Sequence, residues 1–418
     1  MPEARFRTRI VVFSQGERFP VLLDEAGLPH WFSTLFTVTR KRNSSKAPNT
    51  VLAVLHAMRL LLVWAATQSI DIERRFAGRI WLREAEIDSL CAFAQSRTKR
   101  LHEELPLPTR LPRRHESARA VVDTPKDRVS SNTQYSRVSY MAEYLEWLAV
   151  RITEREAHRV TDESLNEIKA MAASLRMRRP VKTKPSRLSA RRGLSEEAQQ
   201  SLFKLMRPDS PTNPFGHAVR QRNQLIVLLF FDLAIRAGEL LALKVSDFDF
   251  QRNDVVIARR HDDPDDPRAN QPVLKTMDRR IPLSNKLAAA VSDYVMRERH
   301  RYPRARRHEF LIVTHQAGPY QGEPLSLKGL SKMFAVIQRA NPESLAALAA
   351  HVLRHTANDR LSAMWDADGI SDPKEEKMRS YLMGWQEGSG TSAVYTRRHV
   401  EKAAREASLK LQQTPPKD

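Results

Sequence analysis

Residues 176-RMRRPVKTKPSRLSARR-192 hold eight Lys or Arg and no acidic residue, with two prolines and two serines among them. Pro180 and Pro185 stop a helix, and so many cations resist burial, so no single hydrophobic core can run across this stretch. A chain of 418 residues also exceeds one ordinary domain. The segment therefore reads as an extended junction, with residues 181–193 as the linker proper. It serves as a solvated connection, as a basic strap lying along phosphates, or as both.

Before the junction the hydrophobic period changes once. Residues 5–42 look β-like: RTRIVVF alternates, turn residues punctuate GERFPVLLDEAGLPHWF, and LFTVTR alternates again. Residues 1–46 thus form a short β-like segment. From 47 to 180 the pattern is helical, beginning with VLAVLHAMRLLLVWAA at 51–66. Pro106, Pro108, Pro112 and Pro125 mark 105–131 as a long basic loop. In 134-QYSRVSYMAEYLEWL-148, the stripe Val138, Met141, Tyr144, Leu145 and Leu148 reads as helix packing rather than base stacking.

After the junction, 194-LSEEAQQSLFKLM-206 opens a second domain, with Ser195 and the acids behind it as a helix start. A long helix ends near Ile235, and 236-RAGELLALKVSDFDF-250 follows. Residues 254–260 and 279–284 read as strands of a small sheet, separated by the acidic, turn-like insert 261–272. Helices dominate from Asn285 to Lys410, apart from a short strand FLIVT at 310–314. The fold class expected is mainly α with a small β-sheet (α+β).

Composition bounds the function. The formal charge is +20, which predicts a polyanionic partner, above all nucleic acid. The single cysteine, Cys91, excludes an internal disulfide and a thiolate zinc cluster, and it suits a reducing cytoplasm. The N-terminus has no apolar stretch like that of a signal peptide, and the apolar run 225-LIVLLFFDLAI-235 is too short to span a bilayer. No phosphate-cradling GxxxxGK[ST] loop occurs, so an ATP-driven motor is not expected.

His351, Arg354 and His355 share one helical face in 351-HVLRHTANDRL-361. Zinc is a poor fit: Val352 stands where a metalloprotease helix has its Glu base, and Arg354 would repel a dication. An anion suits them better, since a guanidinium forks onto phosphate oxygens and an imidazole moves protons. Arg236 lies at a turn after an apolar helix, with Glu239 three residues on to hold a neighbouring cation. Tyr395 follows a glycine-bearing loop.

Taken together, these residues resemble the tyrosine recombinases, or phage-type integrases. The family's RxGELLxL motif corresponds to Arg236–Leu243, followed by Asp247. Lys275 precedes RRIPL as the hairpin lysine, His351–Thr356 matches HxLRHT, and Met383–Gly384–Trp385 precedes Tyr395. The likeness covers 194–411 well and 47–180 more loosely. Trp385 stands where most members have His, and the acidic insert lengthens the hairpin before Lys275.

The resemblance implies a helical core-binding domain at 47–180 and a catalytic domain at 194–418 closing on double-stranded DNA. It implies cleavage without metal, ATP or other cofactor. Arg236 and Arg354 would clamp the phosphate, Tyr395 would attack it, His351 would handle the phenol's proton, and Lys275 would protonate the leaving oxygen. Trp385 would pack at the nucleophile, with Glu239 and His355 in support. Arg176, Arg178, Arg179, Lys182, Lys184, Arg187, Arg191 and Arg192 would follow DNA phosphates.

The expected assembly is a dimer to tetramer on DNA, joined by exchange of the C-terminal helix in 397-RRHVEKAAREASLKLQQ-413. Accessory proteins or arm DNA are the expected partners of residues 1–46, and no membrane is. The function expected is the integrase of a mobile element, in a bacterial cytoplasm and on the nucleoid when bound. A type IB topoisomerase-like relaxer and a catalytically inactive DNA-binding regulator are the alternatives.

Overall fold

Among the described residues two large hydrophobic cores organise the chain, with a small third cluster of Ala234, Ala357, Met383 and Trp385. The computed structural model describes residues 6–44, 46–97, 128–157, 160–183, 193–272, 276–388 and 404–413. One unit comprises Met1–Phe13 with Arg18–Ser186, the other Ser14–Glu17 with Arg187–Asp418. The protein is mainly α-helical with two small antiparallel sheets.

In the first unit, β1 (Arg7–Val12) pairs with β2 (Arg18–Leu23), Arg7 opposite Leu23 and Val12 opposite Arg18. The LFTVTR stretch, expected as a strand, is instead helical: α1 (Trp31–Thr37) runs into a π-helical turn through Arg42. The reason is packing. Phe32 and Phe36, four apart, both meet Trp147, and Phe36 also meets Tyr144 at 5.4 Å. A helical face serves those contacts, whereas alternation would send the two rings along a strand.

Phe19, Val21, Leu22, Phe32 and Phe36 share one core with the helices that follow, so residues 6–44 do not form a separate body. Those helices are α2 (Pro48–Thr67), α3 (Ile72–Ala77), α4 (Glu84–Phe93), α5 (Ser131–Ala157) and α6 (Asp162–Met177). Helix α2 is long and apolar enough to cross a membrane by length and composition. Its Val54, Leu55, Met58, Leu61 and Trp64 are nonetheless buried in this core. All five stripe residues of α5, Val138 to Leu148, are buried with them. Of the expected loop 105–131, only 128–131 lie among the described residues.

In the second unit, Ser195 caps α7 (Glu196–Met206) by accepting the Ala198 N–H at 3.3 Å. Next come α8 (His217–Leu233), α9 (Ala237–Ala242) and a three-stranded sheet of β3 (Phe248–Asp249), β4 (Asp254–Ile257) and β5 (Arg279–Pro282). The register sets Ile257 opposite Arg279 and Val255 opposite Ile281. The acidic insert turns inward: Asp263 pairs with Lys244 at 2.9 Å and Asp266 with Arg268 at 2.8 Å.

The expected FLIVT strand is absent. Phe310, Leu311, Ile312 and Val313 are all buried, and only isolated bridges, Lys244 to Phe310 and Val313 to Pro324, pair the segment. The segment meets one partner at Lys244 and another at Pro324, one residue pair each, so no run of consecutive pairs forms. Helices α10 (Asn285–Asp293), α11 (Leu327–Ala340), α12 (Pro342–Leu345), α13 (Ala350–Ala367) and α14 (Asp372–Met383) complete the unit. A last helix at 404–413 keeps Leu409 and Leu411 exposed.

Candidate active site

The apolar run in α8 ends at Ala234, which adopts a left-handed conformation (φ 52°, ψ 25°). A Cβ-bearing residue pays about 1–2 kcal/mol there, and such turns persist only when their surroundings hold them. The holder is Arg354 of α13, whose Nη1 donates to the Ala234 carbonyl. The turn delivers Arg236 as the extended residue before α9, where its own N–H donates to Glu239 Oε2 at 2.8 Å. The Arg236 side chain is 38% exposed, and its Nη1 lies 3.6 Å from Glu239 Oε1. That nitrogen makes no hydrogen bond among the described residues.

Glu239 is buried and is the hub of the site. Its carboxylate takes Arg279 as a fork, Nη2 to Oε2 at 2.9 Å and Nη1 to Oε1 at 3.3 Å. The Thr276 hydroxyl donates to Oε1, and Arg354 Nη1 stands 3.7 Å from Oε2. Burial works against the charge on Glu239, yet its pKa is lowered, because Arg279 first and then Arg354 and Thr276 stabilise the anion. Among the described residues, three guanidiniums, those of Arg236, Arg279 and Arg354, stand around the Glu239 carboxylate.

Arg354 is buried, and its Nη2 donates to the Met383 carbonyl at 3.0 Å. Its guanidinium lies 5.5 Å from the Trp385 ring centre. Met383, Gly384 and Trp385 are held closely. Gly384 ends α14 with φ 65°, and a Cβ there would stand 2.8 Å from Arg279 Nη1 and 2.9 Å from the Met277 carbonyl. Only glycine fits. The three residues expected on one face of α13 differ in depth: Arg354 is buried, His355 half-buried and His351 exposed, with the two imidazoles edge-on at 6.4 Å.

Arg236, Glu239, Arg354 and Trp385 thus converge. Lys275 and Tyr395 lie outside the described residues, as do Lys184, Arg187, Arg191 and Arg192. Thr276, the next residue after Lys275, is buried on Glu239. Lys244 pairs with Asp263 at 2.9 Å. Tyr381 is exposed on α14 and donates to the Arg280 carbonyl at 3.4 Å.

The basic segment is less uniform than its sequence. Arg176 is helical in α6 and pairs with Glu146, and Arg178 bonds both Glu84 and Asp88. The expected extended strap therefore starts later. Arg179 and Lys182 both lie over the Tyr135 ring, at 4.8 and 4.3 Å from its centre.

Two residues of the site, Thr276 and Arg279, escaped the sequence reading. Arg279 had a readable signal. It sits two residues before Ile281 on β5, so a strand that buries Ile281 must also turn Arg279 inward. An inward arginine demands a carboxylate.

Residues 200–402 match the family model described as the phage integrase family. Transposase A from transposon Tn554 of Staphylococcus aureus is 28% identical over 149 residues, covering 35% of this chain and 38% of that protein. The chain thus spans well under half the length of the curated relatives it matches. The Tn1549 transposon integrase in complex with transposon right end DNA aligns at 16% identity over 66% of this chain and 92% of that one, with a TM-score of 0.36. XerH site-specific recombinase bound to palindromic difH aligns at 13% identity, 92% and 94% coverage, and a TM-score of 0.43. At these scores neither structure assigns a residue.

Proposed function

Residues 200–402 belong to the phage integrase family, and from that premise we propose that the protein is a site-specific DNA recombinase of a mobile element. The observation that carries this reading is the convergence of Arg236, Arg279 and Arg354 on one buried carboxylate. Such a site is built to receive an anion, and a phosphodiester oxygen pair matches two guanidiniums. The name of the Tn554 relative, a transposase, suits a mobile-element role.

In the proposed cycle the Tyr395 oxygen attacks phosphorus, forming a 3′-phosphotyrosine bond as the bond to the 5′-oxygen breaks. His351 takes the phenol's proton, and Lys275 supplies one to the departing 5′-oxygen. Arg236 and Arg354 stabilise the charge gathering on the non-bridging oxygens, and Trp385 packs beside them. The bond energy stays in the covalent link, so the 5′-hydroxyl of a second strand can reverse the step without ATP. His355 supports α13 from beside Arg354.

The double-stranded DNA substrate also accounts for the surplus of basic residues. Arg179 and Lys182, and with them Lys184, Arg187, Arg191 and Arg192, are the proposed backbone contacts. Residues 47–180 act as the core-binding domain and 194–418 as the catalytic domain, with residues 1–46 available to arm DNA or an accessory protein. Two to four protomers assemble on DNA by exchanging the helix at 404–413, whose exposed leucines suit a partner. The protein works in a bacterial cytoplasm, on the nucleoid.

A library of nicked duplexes with a randomised core tests the reading. The nick lets the cleaved fragment escape, so cleavage traps a protein–DNA adduct that survives denaturation, and sequencing the adducts defines the site. Wild-type protein is expected to form adducts, and Tyr395→Phe is expected to form none while binding the recovered duplex as tightly as wild type. Adducts from the Phe variant, or none from either protein, would refute the assignment.

A further inference from the structure

Resting on the strand-cleavage reading above, we propose that Arg279 is a positioning residue of the site. It holds the Glu239 charge away from the two phosphate-binding arginines and locks the end of α14 against them.

The first half follows from the distances to Glu239. Arg279 takes the carboxylate's two best ion-pair contacts, at 2.9 and 3.3 Å, whereas Arg236 and Arg354 stand at 3.6 and 3.7 Å. Arg279 and Arg354 are both buried, with side chains 1% and 4% exposed, whereas Arg236 is 38% exposed. Of the three, Arg279 makes the close two-point fork that neutralises the carboxylate. The Glu239 charge is thereby kept from drawing Arg236 and Arg354 into a close pair.

The second half follows from the rest of the guanidinium. Arg279 Nε donates to the Leu382 carbonyl at 2.7 Å, in the last turn of α14. Gly384 lies against Nη1, and the Gly384 carbonyl accepts the Met277 N–H at 3.0 Å. Trp385 comes next in sequence, and the chain goes on to Tyr395. Arg279 stands on β5, opposite Ile257 of β4, so its backbone is fixed in a sheet. One planar cation therefore joins the arginine turn before α9, the strand β5 that follows Thr276, and the end of α14, beyond which the sequence runs on to Tyr395. Lysine could supply the charge but not three nitrogens in fixed directions.

The test uses full-length protein and the duplex recovered with wild type in the library selection. Single-turnover adduct formation at saturating DNA yields a rate constant, for the active molecules, and an amplitude, for the active fraction. Arg279→Lys is expected to lower the rate constant about 10- to 100-fold, the scale of a misplaced reacting group, with DNA affinity unchanged. Arg279→Met is expected to lower it further, because Glu239 then draws on Arg236 and Arg354. Adding Glu239→Gln is expected to restore part of that loss, since the amide still accepts the Arg236 N–H but carries no charge.

A purely structural arginine would behave differently: the amplitude and thermal midpoint would fall, and the rate constant of the surviving molecules would stay at the wild-type value. That result for Arg279→Lys, or no gain from adding Glu239→Gln, overturns the proposal while leaving the recombinase reading intact. A wild-type protein that forms no adduct with the library overturns that reading, and this inference with it.

Discussion

Two of the arginine clusters in the molecule are built on opposite balances. At the end of α6 in the first unit, Arg178 meets two carboxylates, Glu84 and Asp88, and Arg176 meets Glu146. Each cation there has at least one anion of its own. In the second unit, Arg236, Arg279 and Arg354 share the single carboxylate of Glu239. In the first cluster carboxylates outnumber the arginines they hold; in the second, among the described residues, three arginines gather on one carboxylate. The number of basic residues does not tell a DNA-binding surface from a structural one; the ratio of cations to their own carboxylates does.

The contrast is broken most directly by removing one arginine of the second cluster. Arg236→Ala should cut the rate of adduct formation about 100- to 1,000-fold, the usual cost of one charge-stabilising donor, while the fold persists because this side chain is partly exposed. Single-turnover kinetics on the recovered duplex would check it. A rate near wild type would mean that the Arg236 charge is not used on the phosphate.

A buried base can also be kept neutral, and His315 is that third case. Its Nδ1 lies 2.7 Å from the Ala218 carbonyl, its ring stacks on Tyr294, and burial, with Arg222 and Arg301 adding to it, pushes its pKa down to about 4. The unfolded chain binds a proton near the ordinary histidine pKa of about 6.5, while the folded protein does not until about pH 4. Stability should therefore be full above about pH 6.5 and fall by up to about 3 kcal/mol as the pH drops toward 4. Denaturant unfolding of wild type and His315→Gln across that range would show the difference. Parallel curves would remove His315 as the cause.

The smallest effects set the paired Arg178 against Lys182, which lies beyond the cluster over the Tyr135 ring. Arg178→Ala should lower the thermal midpoint yet leave the salt dependence of DNA binding as it was, since Glu84 and Asp88 already hold this cation. Lys182→Ala should do the reverse, reducing the slope of log affinity against log salt by about one unit, the loss of one phosphate contact. Equal slopes for the two variants would erase the distinction between paired and available cations along the strap.

Local pattern by itself determined most of the helices, the Ser195 cap, the small sheet and the buried stripe of α5, because each depends on side chains a few positions apart. It also determined the order of Arg236, Glu239, His351, Arg354 and Trp385, and the excess of positive charge. What it left open was decided by contacts between distant parts of the chain. Phe32 and Phe36 became helical because Trp147 and Tyr144 lay on one side of them, and residues 310–313 formed no ladder because their two ends bridge different segments. Arg279 met Glu239 from 40 residues away, and Arg354 reached back 120 residues to the Ala234 carbonyl. Local sequence carries the charge of an arginine but not the position of the carboxylate that neutralises it. Pairing in a buried site costs desolvation that only a folded neighbour can offset, so which cations remain for DNA is settled by the tertiary structure.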